Sequence, residues 1–232
     1  MTDQHSELLA ACSVLGGYAQ DDLIWGHASV RDSEGRGAWM KSSRLGFEEM
    51  TADLLVLVDD SGTTLAGGGT RHIESPIHTE IMRSRPDVGA VVHTHWPHVV
   101  AFGATGMPMR PISHDATLFV PDRLARYGSG ELITTPEQGR AVAEALEDRP
   151  AILLAHHGMV TVGADVAEAV VTAVMLERAA RLQLLTAAAT PDFSYSSDDE
   201  AIRKRDQHFT RSNIEAAWAY LLRRVQGSSS AT

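Results

Sequence analysis

Two histidines stand two positions apart at the end of an apolar run, and their chemistry is that of metal ligands. The run covers residues 88–92 (Val-Gly-Ala-Val-Val), and His93 and His95 follow it. Because alternate residues of a β-strand point to the same face, this spacing predicts that the two imidazoles lie side by side. Neutral imidazole is a favoured ligand of zinc and similar first-row metals. The alternative is a pair of histidines that only packs near the end of a strand.

A catalytic metal site usually has three protein ligands and one open position, so the pair needs a third partner. His157 is the best candidate, because it follows a predicted buried strand over residues 151–155 and precedes Gly158. A glycine there would allow the backbone to turn tightly and approach the site. His156 would point the other way if the strand geometry continued, which predicts a surface or supporting position. Cys12, the only cysteine, lies in an apolar helical pattern and is expected in the core.

Glu74 is a further chemical candidate. It lies in a loop that begins with three glycines, and His78 follows it by four residues, at the start of a predicted helix. Its carboxylate could serve the site, or it could be a solvated residue that the positive end of the helix favours.

Short strands and helices must position these residues. Alternating apolar residues predict strands over 27–31, 37–41, 54–58, 63–66, 88–95, 151–155 and 159–163, and helical spacing predicts helices over 6–20, 75–84, 97–104, 165–190 and, for the most part, 198–224. Thr135 and Pro136 are typical of the first residues of another helix. Residues 116–134 receive no assignment. The pattern predicts one α/β domain over residues 1–226 and a flexible tail over residues 227–232.

Composition excludes several classes of partner. The 232 residues carry a formal net charge of −10, which argues against a nucleic-acid binder because phosphate contacts need a basic face. No run approaches the roughly 18 apolar residues of a membrane span. The first residues lack the basic and then apolar pattern of a signal peptide. We therefore expect a cytoplasmic protein with a small-molecule substrate and neither a membrane nor a nucleic-acid partner.

Several segments, in this order, resemble the class II aldolase/adducin family. They are residues 26–31 (Gly-His-Ala-Ser-Val-Arg), the loop with Glu74 and His78, residues 85–95, and residues 154–158 (Leu-Ala-His-His-Gly). The resemblance covers residues from about 6 to 190. It implies a three-layer αβα fold with a central, largely antiparallel sheet, and a homotetramer with active sites between subunits. It also implies one divalent metal ion per subunit, with these site residues: ligands His93, His95 and His157, and Glu74 as a ligand or an acid/base group.

Departures from the aldolase pattern indicate a branch of the family. Aldolases have a Gly-Asn pair at the position of Gly26-His27 in this chain. They also have a glycine loop that holds phosphate, and the corresponding residues here are 41–44 (Lys-Ser-Ser-Arg). Arg44 would fill the space in which a phosphate uses backbone N–H groups, and its guanidinium suits a carboxylate. Asp115 stands where the aldolases have a tyrosine proton donor. Residues 102–111 resemble the non-oxidative decarboxylases that act on hydroxylated aromatic dicarboxylates.

We therefore predict a metal-dependent carbon–carbon lyase of the carboxy-lyase type. Its substrate would be a compound such as 3,4-dihydroxyphthalate or a hydroxypyridine dicarboxylate, in the breakdown of aromatic compounds such as phthalate. A zinc, manganese, iron or cobalt ion would hold a phenolate or enolate oxygen, and Glu74 or His114 would deliver a proton. The residues expected to bind substrate are His27, Lys41, Ser43, Arg44, Arg71 and Asp115.

Two other functions are weighed against this one. The first is a class II aldolase, an aldehyde-lyase that cleaves a phosphorylated or non-phosphorylated hydroxyketone. The second is a non-catalytic interaction module of the adducin type, whose members lack the metal histidines. Lys41, Arg44 and Arg71 could also be ordinary surface charges.

Overall fold

The computed structural model describes residues 3–18 and 22–229, and an eight-stranded sheet forms its centre. The strands are β1 His27–Arg31, β2 Ala38–Met40, β3 Val56–Val58, β4 Thr64–Gly67, β5 Ala90–Thr94, β6 Leu124–Tyr127, β7 Ala151–Leu154 and β8 Gly158–Gly163. Their order across the sheet is β4-β3-β2-β1-β5-β8-β7-β6. All neighbours are antiparallel except β6 and β7, which are parallel. The prediction of a largely antiparallel central sheet is confirmed.

Helices cover both faces of this sheet. They are α1 Gln4–Tyr18, α2 Ser75–Ser84, α3 Pro97–Thr105, α4 His114–Thr117, α5 Pro136–Leu146, α6 Val166–Ala189, α7 Asp198–His208 and α8 Arg211–Ser229. Two short 3₁₀ helices, Phe47–Glu49 and Ala52–Leu54, connect β2 to β3. No helix in the described part of the chain is long and apolar enough to cross a membrane.

The alternation of side chains along β5 divides the interior into two apolar cores. Ala90 and Val92 belong to a core that includes Val170 of α6, whereas Val91 belongs to a second core with Ile81 of α2. All five side chains are buried. Burial on both faces is what an αβα sandwich requires, since each face of the sheet must be covered by helices. The three-layer fold is confirmed, and the face of Val91 is also the face of His93.

The start of α5 shows how local sequence sets a helix boundary. The Thr135 hydroxyl accepts a hydrogen bond from the Gln138 amide at 3.3 Å, and the Gln138 side chain accepts one from the Thr135 amide at 3.1 Å. These bonds satisfy amide groups that the first turn leaves without partners. The prediction of Thr135 as the N-cap is confirmed.

Some boundaries differ from those expected. Helix α1 begins at Gln4, and the predicted end at Gln20 lies outside the described residues. The segment 116–134, which has no clear sequence pattern, contains the end of α4 and the edge strand β6. The final helical region is interrupted between α7 and α8, and α8 continues through Ser229, three residues into the expected tail. Residues 230–232 lie outside the described part.

Candidate metal centre

His93, the fourth residue of β5, is held with one ring nitrogen aimed into the site. Its Nδ1 lies 2.9 Å from the backbone carbonyl oxygen of Met159 in β8, the strand next to β5. A carbonyl can only accept a hydrogen bond, so Nδ1 carries the proton and Nε2 presents a lone pair. Burial lowers the pKa of His93 well below its usual 6.5, which keeps the ring neutral.

His95 is oriented in the same way by a carboxylate. Its Nδ1 lies 3.0 Å from Oδ1 of Asp22, and its backbone amide donates to Oδ2 of Asp22 at 3.1 Å. With Nδ1–H donating to Asp22, Nε2 of His95 also presents a lone pair. A carboxylate behind a ligating imidazole is a common arrangement in metal proteins, because it fixes the ring and makes the free nitrogen more basic.

The two free nitrogens face each other. Nε2 of His93 and Nε2 of His95 are 3.0 Å apart, and when both rings are neutral neither of these atoms carries a proton. Two lone pairs at this distance repel unless a cation lies between them. Their separation suits two ligands that each lie about 2.0–2.1 Å from one metal ion.

Glu74 and His157 complete this ligand cluster of His93, His95, His157 and Glu74. Oε2 of Glu74 is 3.8 Å from Nε2 of His93, and Oε1 is 3.7 Å from Nε2 of His157. The ligating atoms of the four residues all lie within 4.8 Å of one another. The side chain of His157 is 6% exposed, and neither of its ring nitrogens has a hydrogen-bond partner in the described part of the chain. The cluster therefore fits a divalent cation.

The protonation state of Glu74 follows from its neighbours. Burial by itself would raise the pKa of the carboxyl, but the proximity of His157 and His93 and a 2.9 Å hydrogen bond from the Ile133 amide outweigh it. The net effect lowers the pKa of Glu74 from 4.5 to about 2. The group is therefore a carboxylate at neutral pH, so it can act as a ligand or a base in the resting site but not as a proton donor.

Two glycines allow the backbone to approach the site. A Cβ on Gly158 would lie 2.5 Å from the carbonyl oxygen of Thr94 and 3.1 Å from the ring of His95, so the predicted close approach at Gly158 is confirmed. A Cβ on Gly26 would lie 2.3 Å from Oδ2 of Asp22. His156 is exposed with a φ of 54°, which agrees with the prediction that it points away.

His27 lies behind Glu74, as the first residue of β1. Its Nε2 is 3.7 Å from Oε2 of Glu74, and its ring centre is 4.7 Å from that of His93. Its Nδ1 is 2.6 Å from Nε2 of His78, and the ring of His72 packs against it at 3.9 Å. The structure thus places His27 beside the ligand cluster, which agrees with a site role.

The loop of Ser43 and Arg44 lies next to the loop of Arg71. The Ser43 amide donates to the Thr70 carbonyl at 2.8 Å. Arg44 is exposed, with a φ of 66°, and Arg71 is half-buried and donates to the Ser75 hydroxyl at 2.8 Å. The second of these loops leads directly to Glu74. Substrate binding by Ser43, Arg44 and Arg71 stays a prediction.

Lys41 has a different place from the one expected. Its side chain is fully buried, and its ammonium donates to the carbonyl of Ser42 at 3.1 Å and to that of Leu45. Burial lowers the pKa of Lys41. Its donors hold the 42–45 loop from inside, and substrate binding by Lys41 stays a prediction.

The other two predicted residues lie on α4. His114 is exposed, and its ring neighbour is His208 at 5.2 Å. Asp115 is buried and accepts a 2.9 Å hydrogen bond from Nε of Arg178 in α6. This ion pair joins α4 to α6, and substrate binding by Asp115 stays a prediction. Among the described residues, no hydrogen bond, ion pair or ring contact joins His114 to the ligand cluster.

Asp22 is the residue that sequence reasoning missed. The sequence around it indicates only a turn, and Asp22 lies 73 positions before His95. An acidic residue in a turn has no periodicity to reveal a distant partner. Gly26, within the matching segment 26–31, offered an indirect signal, because its missing side chain leaves room for Asp22.

The fold and the cluster together define a class of protein, an α/β protein with a His/Glu cluster that could hold a metal ion at the end of a sheet strand. The chain belongs to the family described as Class II Aldolase and Adducin N-terminal domain, whose model matches residues 6–184. The predicted family is thereby confirmed.

Known proteins similar to this chain include lyases of two kinds. A 3,4-dihydroxyphthalate decarboxylase from Arthrobacter keyseri is 31% identical over 229 residues, 94% of this chain and 92% of that protein. The Meiotically up-regulated gene 14 protein of Schizosaccharomyces pombe is 30% identical over 80% of this chain and 73% of its own length. The structure of an L-fuculose 1-phosphate aldolase from Glaciozyma antarctica PI12 matches with a TM-score of 0.87 and 26% identity, over 98% of this chain and 90% of that one. Decarboxylases and aldolases are both lyases, which confirms the expected enzyme class.

Proposed function

We propose that this protein is a metal-dependent, non-oxidative decarboxylase of a hydroxylated aromatic dicarboxylate such as 3,4-dihydroxyphthalate. The observation that carries the proposal is the grouping of His93, His95, His157 and Glu74, in which the Nε2 atoms of His93 and His95 are 3.0 Å apart. Similarity to a 3,4-dihydroxyphthalate decarboxylase over 94% of the chain supports the substrate class. When bound, a zinc, manganese, iron or cobalt ion supplies a Lewis acid that stabilises negative charge on a substrate oxygen.

Glu74 is the residue that we assign to proton movement. As a carboxylate at rest, it can accept the proton of the substrate's phenolic hydroxyl, which a bound divalent cation would make more acidic. It can then deliver that proton to the ring carbon that bears the departing carboxylate. A C–H bond forms as the C–C bond to CO2 breaks, and no oxidant is needed. This order of steps explains how a group ionised at rest can serve as the acid.

The substrate's carboxylates would be held by the two adjacent loops. Arg44 and Arg71 provide guanidinium groups that match a carboxylate in two-point contact, and Ser43 offers a hydroxyl beside Arg44. The left-handed backbone at Arg44 (φ 66°) costs some free energy in a residue with a side chain.

The decisive experiment is a substrate screen on metal-loaded protein. We expect CO2 release from 3,4-dihydroxyphthalate or a related hydroxylated dicarboxylate. A His95→Ala variant should lose metal and activity while its circular dichroism and Tm stay close to those of the metal-free wild type. Activity that survived in His95→Ala would contradict the ligand assignment.

A class II aldolase is the second candidate, favoured by the 26% identity to the L-fuculose 1-phosphate aldolase. Both reactions place negative charge on an oxygen that is bonded to the neighbour of the carbon whose C–C bond breaks. The same ligand cluster therefore suits either reaction. Cleavage of a phosphoketose together with inertness toward every hydroxylated dicarboxylate would select the aldolase.

We also propose a homotetramer, because large apolar side chains are exposed beside the site. Trp25 is 56% exposed three residues after Asp22, Ile73 is 53% exposed next to Glu74, and Leu132 is 51% exposed next to Ile133. Large exposed apolar groups near site residues in the sequence would fit a surface that a partner subunit covers.

A further inference from the structure

A chain of hydrogen bonds runs from Ser29 to the ligand cluster through two histidines. Oγ of Ser29 is 2.6 Å from Nδ1 of His78, and Nε2 of His78 is 2.6 Å from Nδ1 of His27. The next atom in line, Nε2 of His27, is 3.7 Å from Oε2 of Glu74. Ser29, His27 and His78 are all buried, with at most 1% of each exposed. The protonated form of a buried imidazole is strongly disfavoured, so both rings are neutral and each carries one proton.

The protons along this chain can be arranged in only two ways. In the first, the Ser29 hydroxyl donates to His78, Nε2–H of His78 donates to His27, and His27 presents Nε2–H to Glu74. In the second, every bond is reversed, and His27 presents a lone pair to Glu74. A neutral imidazole has one donor and one acceptor nitrogen, so the direction at Ser29 decides the direction at His27.

Charge and hydrogen-bond satisfaction both favour the first arrangement. An N–H group that faces the Glu74 carboxylate is attracted to it, whereas a lone pair would be repelled. Both electrostatic interactions are strong because the groups are buried. In the second arrangement the hydroxyl proton of Ser29 would also lack an acceptor, since His78 is its sole hydrogen-bond partner within the described residues. Leaving a buried hydroxyl unsatisfied is unfavourable.

We propose that Ser29, acting through His78, holds His27 as the tautomer protonated at Nε2, and that this N–H donates to a substrate oxygen next to Glu74. Nε2 of His27 has no hydrogen-bond partner among the described residues, so a buried donor is available for a ligand. Its natural acceptor is a carboxylate or phenolate oxygen of the substrate. His27 is then a substrate-contacting residue, while Ser29 and His78 are positioning residues. The identity of that oxygen rests on the proposed decarboxylase function; the tautomer does not.

The second proton arrangement, in which every hydrogen bond is reversed, would have a different consequence. His27, His72 and Glu74 have potential ligating atoms within 4.8 Å of one another, so a lone pair on His27 could take part in a second cation site. However, the Glu74 amide lies 3.3 Å from Nδ1 of His72 and uses that nitrogen as its acceptor, which places the proton of His72 on Nε2. Two metal ions per chain, one of them lost in His27→Asn, would therefore overturn the proposal.

The tautomer can be read by NMR without any substrate. In zinc-loaded protein labelled with ¹⁵N-histidine, long-range ¹H–¹⁵N correlation distinguishes protonated from unprotonated ring nitrogens, and His27→Asn identifies the signals of residue 27. We expect His27 and His78 both protonated at Nε2. A wild-type His27 protonated at Nδ1 would overturn the proposal, whatever the behaviour of the variants.

Variants of Ser29 test whether the hydroxyl sets this state. Ser29→Ala should give mixed tautomers at His78 and His27, Ser29→Thr should restore the wild-type pattern, and Ser84→Ala, a serine on α2 that donates to the Ile81 carbonyl, should have no effect. An unchanged pattern in Ser29→Ala would reject the role of Ser29.

Turnover then tests the contact with substrate. With whichever dicarboxylate the screen identifies, kcat/KM should fall about tenfold in Ser29→Ala, recover in Ser29→Thr, and be accompanied by unchanged zinc content. If the tautomers respond as expected but no dicarboxylate is a substrate, the decarboxylase function fails and the tautomer assignment stands. If turnover is found but is equal in Ser29→Ala and wild type, the substrate contact fails and the decarboxylase function stands.

Discussion

At the scale of single residues, the site is defined by where protons are held and where they are absent. Met159 and Asp22 each take the Nδ1–H of one histidine, so His93 and His95 turn bare Nε2 atoms toward each other. This arrangement is unfavourable without a cation and favourable with one. The acceptors behind the rings would therefore tune the metal affinity of this proposed site.

The Asp22→Asn variant tests this interpretation. The amide has nearly the same shape but a weaker acceptor oxygen, so His95 becomes less basic and its ring less firmly fixed. We expect metal affinity to fall about 10- to 100-fold, the usual effect of removing such a partner, with little change in Tm of the metal-free protein. Competition with a chromophoric chelator measures the affinity.

Asp60→Asn provides the control, because Asp60 is an exposed carboxylate on the turn before β4. It removes the same charge without touching a histidine and should leave the affinity unchanged. Equal affinities in Asp22→Asn and the wild type would show that Asp22 does not tune the ligand.

At the scale of elements, β5 and β8 are adjacent strands that meet at the ligand cluster, with Gly158 at the start of β8. Gly158→Ala should both destabilise the fold and weaken metal binding, because the new methyl group would lie 2.5 Å from the Thr94 carbonyl and press on the rings of His93 and His95. Overpacking of this kind costs about 1–3 kcal/mol. Denaturant unfolding of the metal-free protein and metal titration measure the two effects separately.

Gly103→Ala is the matched glycine substitution. Gly103 lies within α3, and a Cβ added there would have no atom of the described residues within 4 Å outside its own helix backbone. Alanine should therefore stabilise the helix by about 0.5–1 kcal/mol. A Gly158→Ala protein as stable as this control would refute the close-approach argument.

The β1–β2 hairpin depends on one buried carboxylate, Asp32. It accepts two hydrogen bonds of 2.9 Å from the Arg36 guanidinium and one of 3.0 Å from the Trp39 indole. The Arg36 hydrogen bonds are the main reason that the pKa of Asp32 lies well below its usual 3.8. Because the folded pKa is lower than the unfolded one, Asp32 stabilises the fold above about pH 3.8, and this contribution is lost as the pH falls below that value.

Asp32→Asn should therefore be less stable than the wild type by about 1–3 kcal/mol near pH 7, since hydrogen bonds to a charged group are lost. The difference should shrink progressively below pH 3.8, where the unfolded wild-type carboxyl is protonated. Urea unfolding at a series of pH values measures it. A difference that stayed constant as the pH fell well below 3.8 would contradict the linkage.

Elements with strong local signals were predictable from sequence, and elements defined by distant partners were not. Helix α2 is found over residues 75–84, as predicted, because Pro76 and the spacing of Ile77 and Ile81 act within the helix itself. Strand β6 could not be predicted, since it is a short edge strand whose pairing with β7 forms across the chain.

The site residues also divide into those that local sequence predicts and those that depend on distant contacts. His93 and His95 could be found because strand periodicity places them together, and His157 because a glycine follows it. Asp22, His72 and the direction of the Ser29–His78–His27 chain required the fold, since each depends on a contact between segments far apart in sequence. The burial of Lys41 could not be predicted either, because a charged side chain is ordinarily exposed, whereas here backbone carbonyls accept its hydrogen bonds inside the fold.

At the scale of the whole molecule, the exposed apolar residues beside the site predict assembly. Trp25 and Leu132 flank the residues that hold His95 and Glu74, and each is more than half exposed in the single chain. Burying such side chains contributes about 1.5–3 kcal/mol each, and more for an aromatic residue that packs well. We expect the wild type to be a tetramer and the double variant Trp25→Ser, Leu132→Ser to dissociate at concentrations where the wild type stays assembled.

Mass photometry across a dilution series measures this shift, and metal content and turnover are followed on the same samples. Leu185→Ser is the control, because Leu185 is a comparably exposed leucine (58%) on α6 that is not next to a site residue. If a partner subunit completes the site, turnover should fall with the loss of tetramer while each chain keeps its metal, because all four residues of the ligand cluster belong to one chain. A wild type that is monomeric and fully active would exclude a site shared between subunits. Trp25 and Leu132 would then be available to contact the aromatic ring of the substrate.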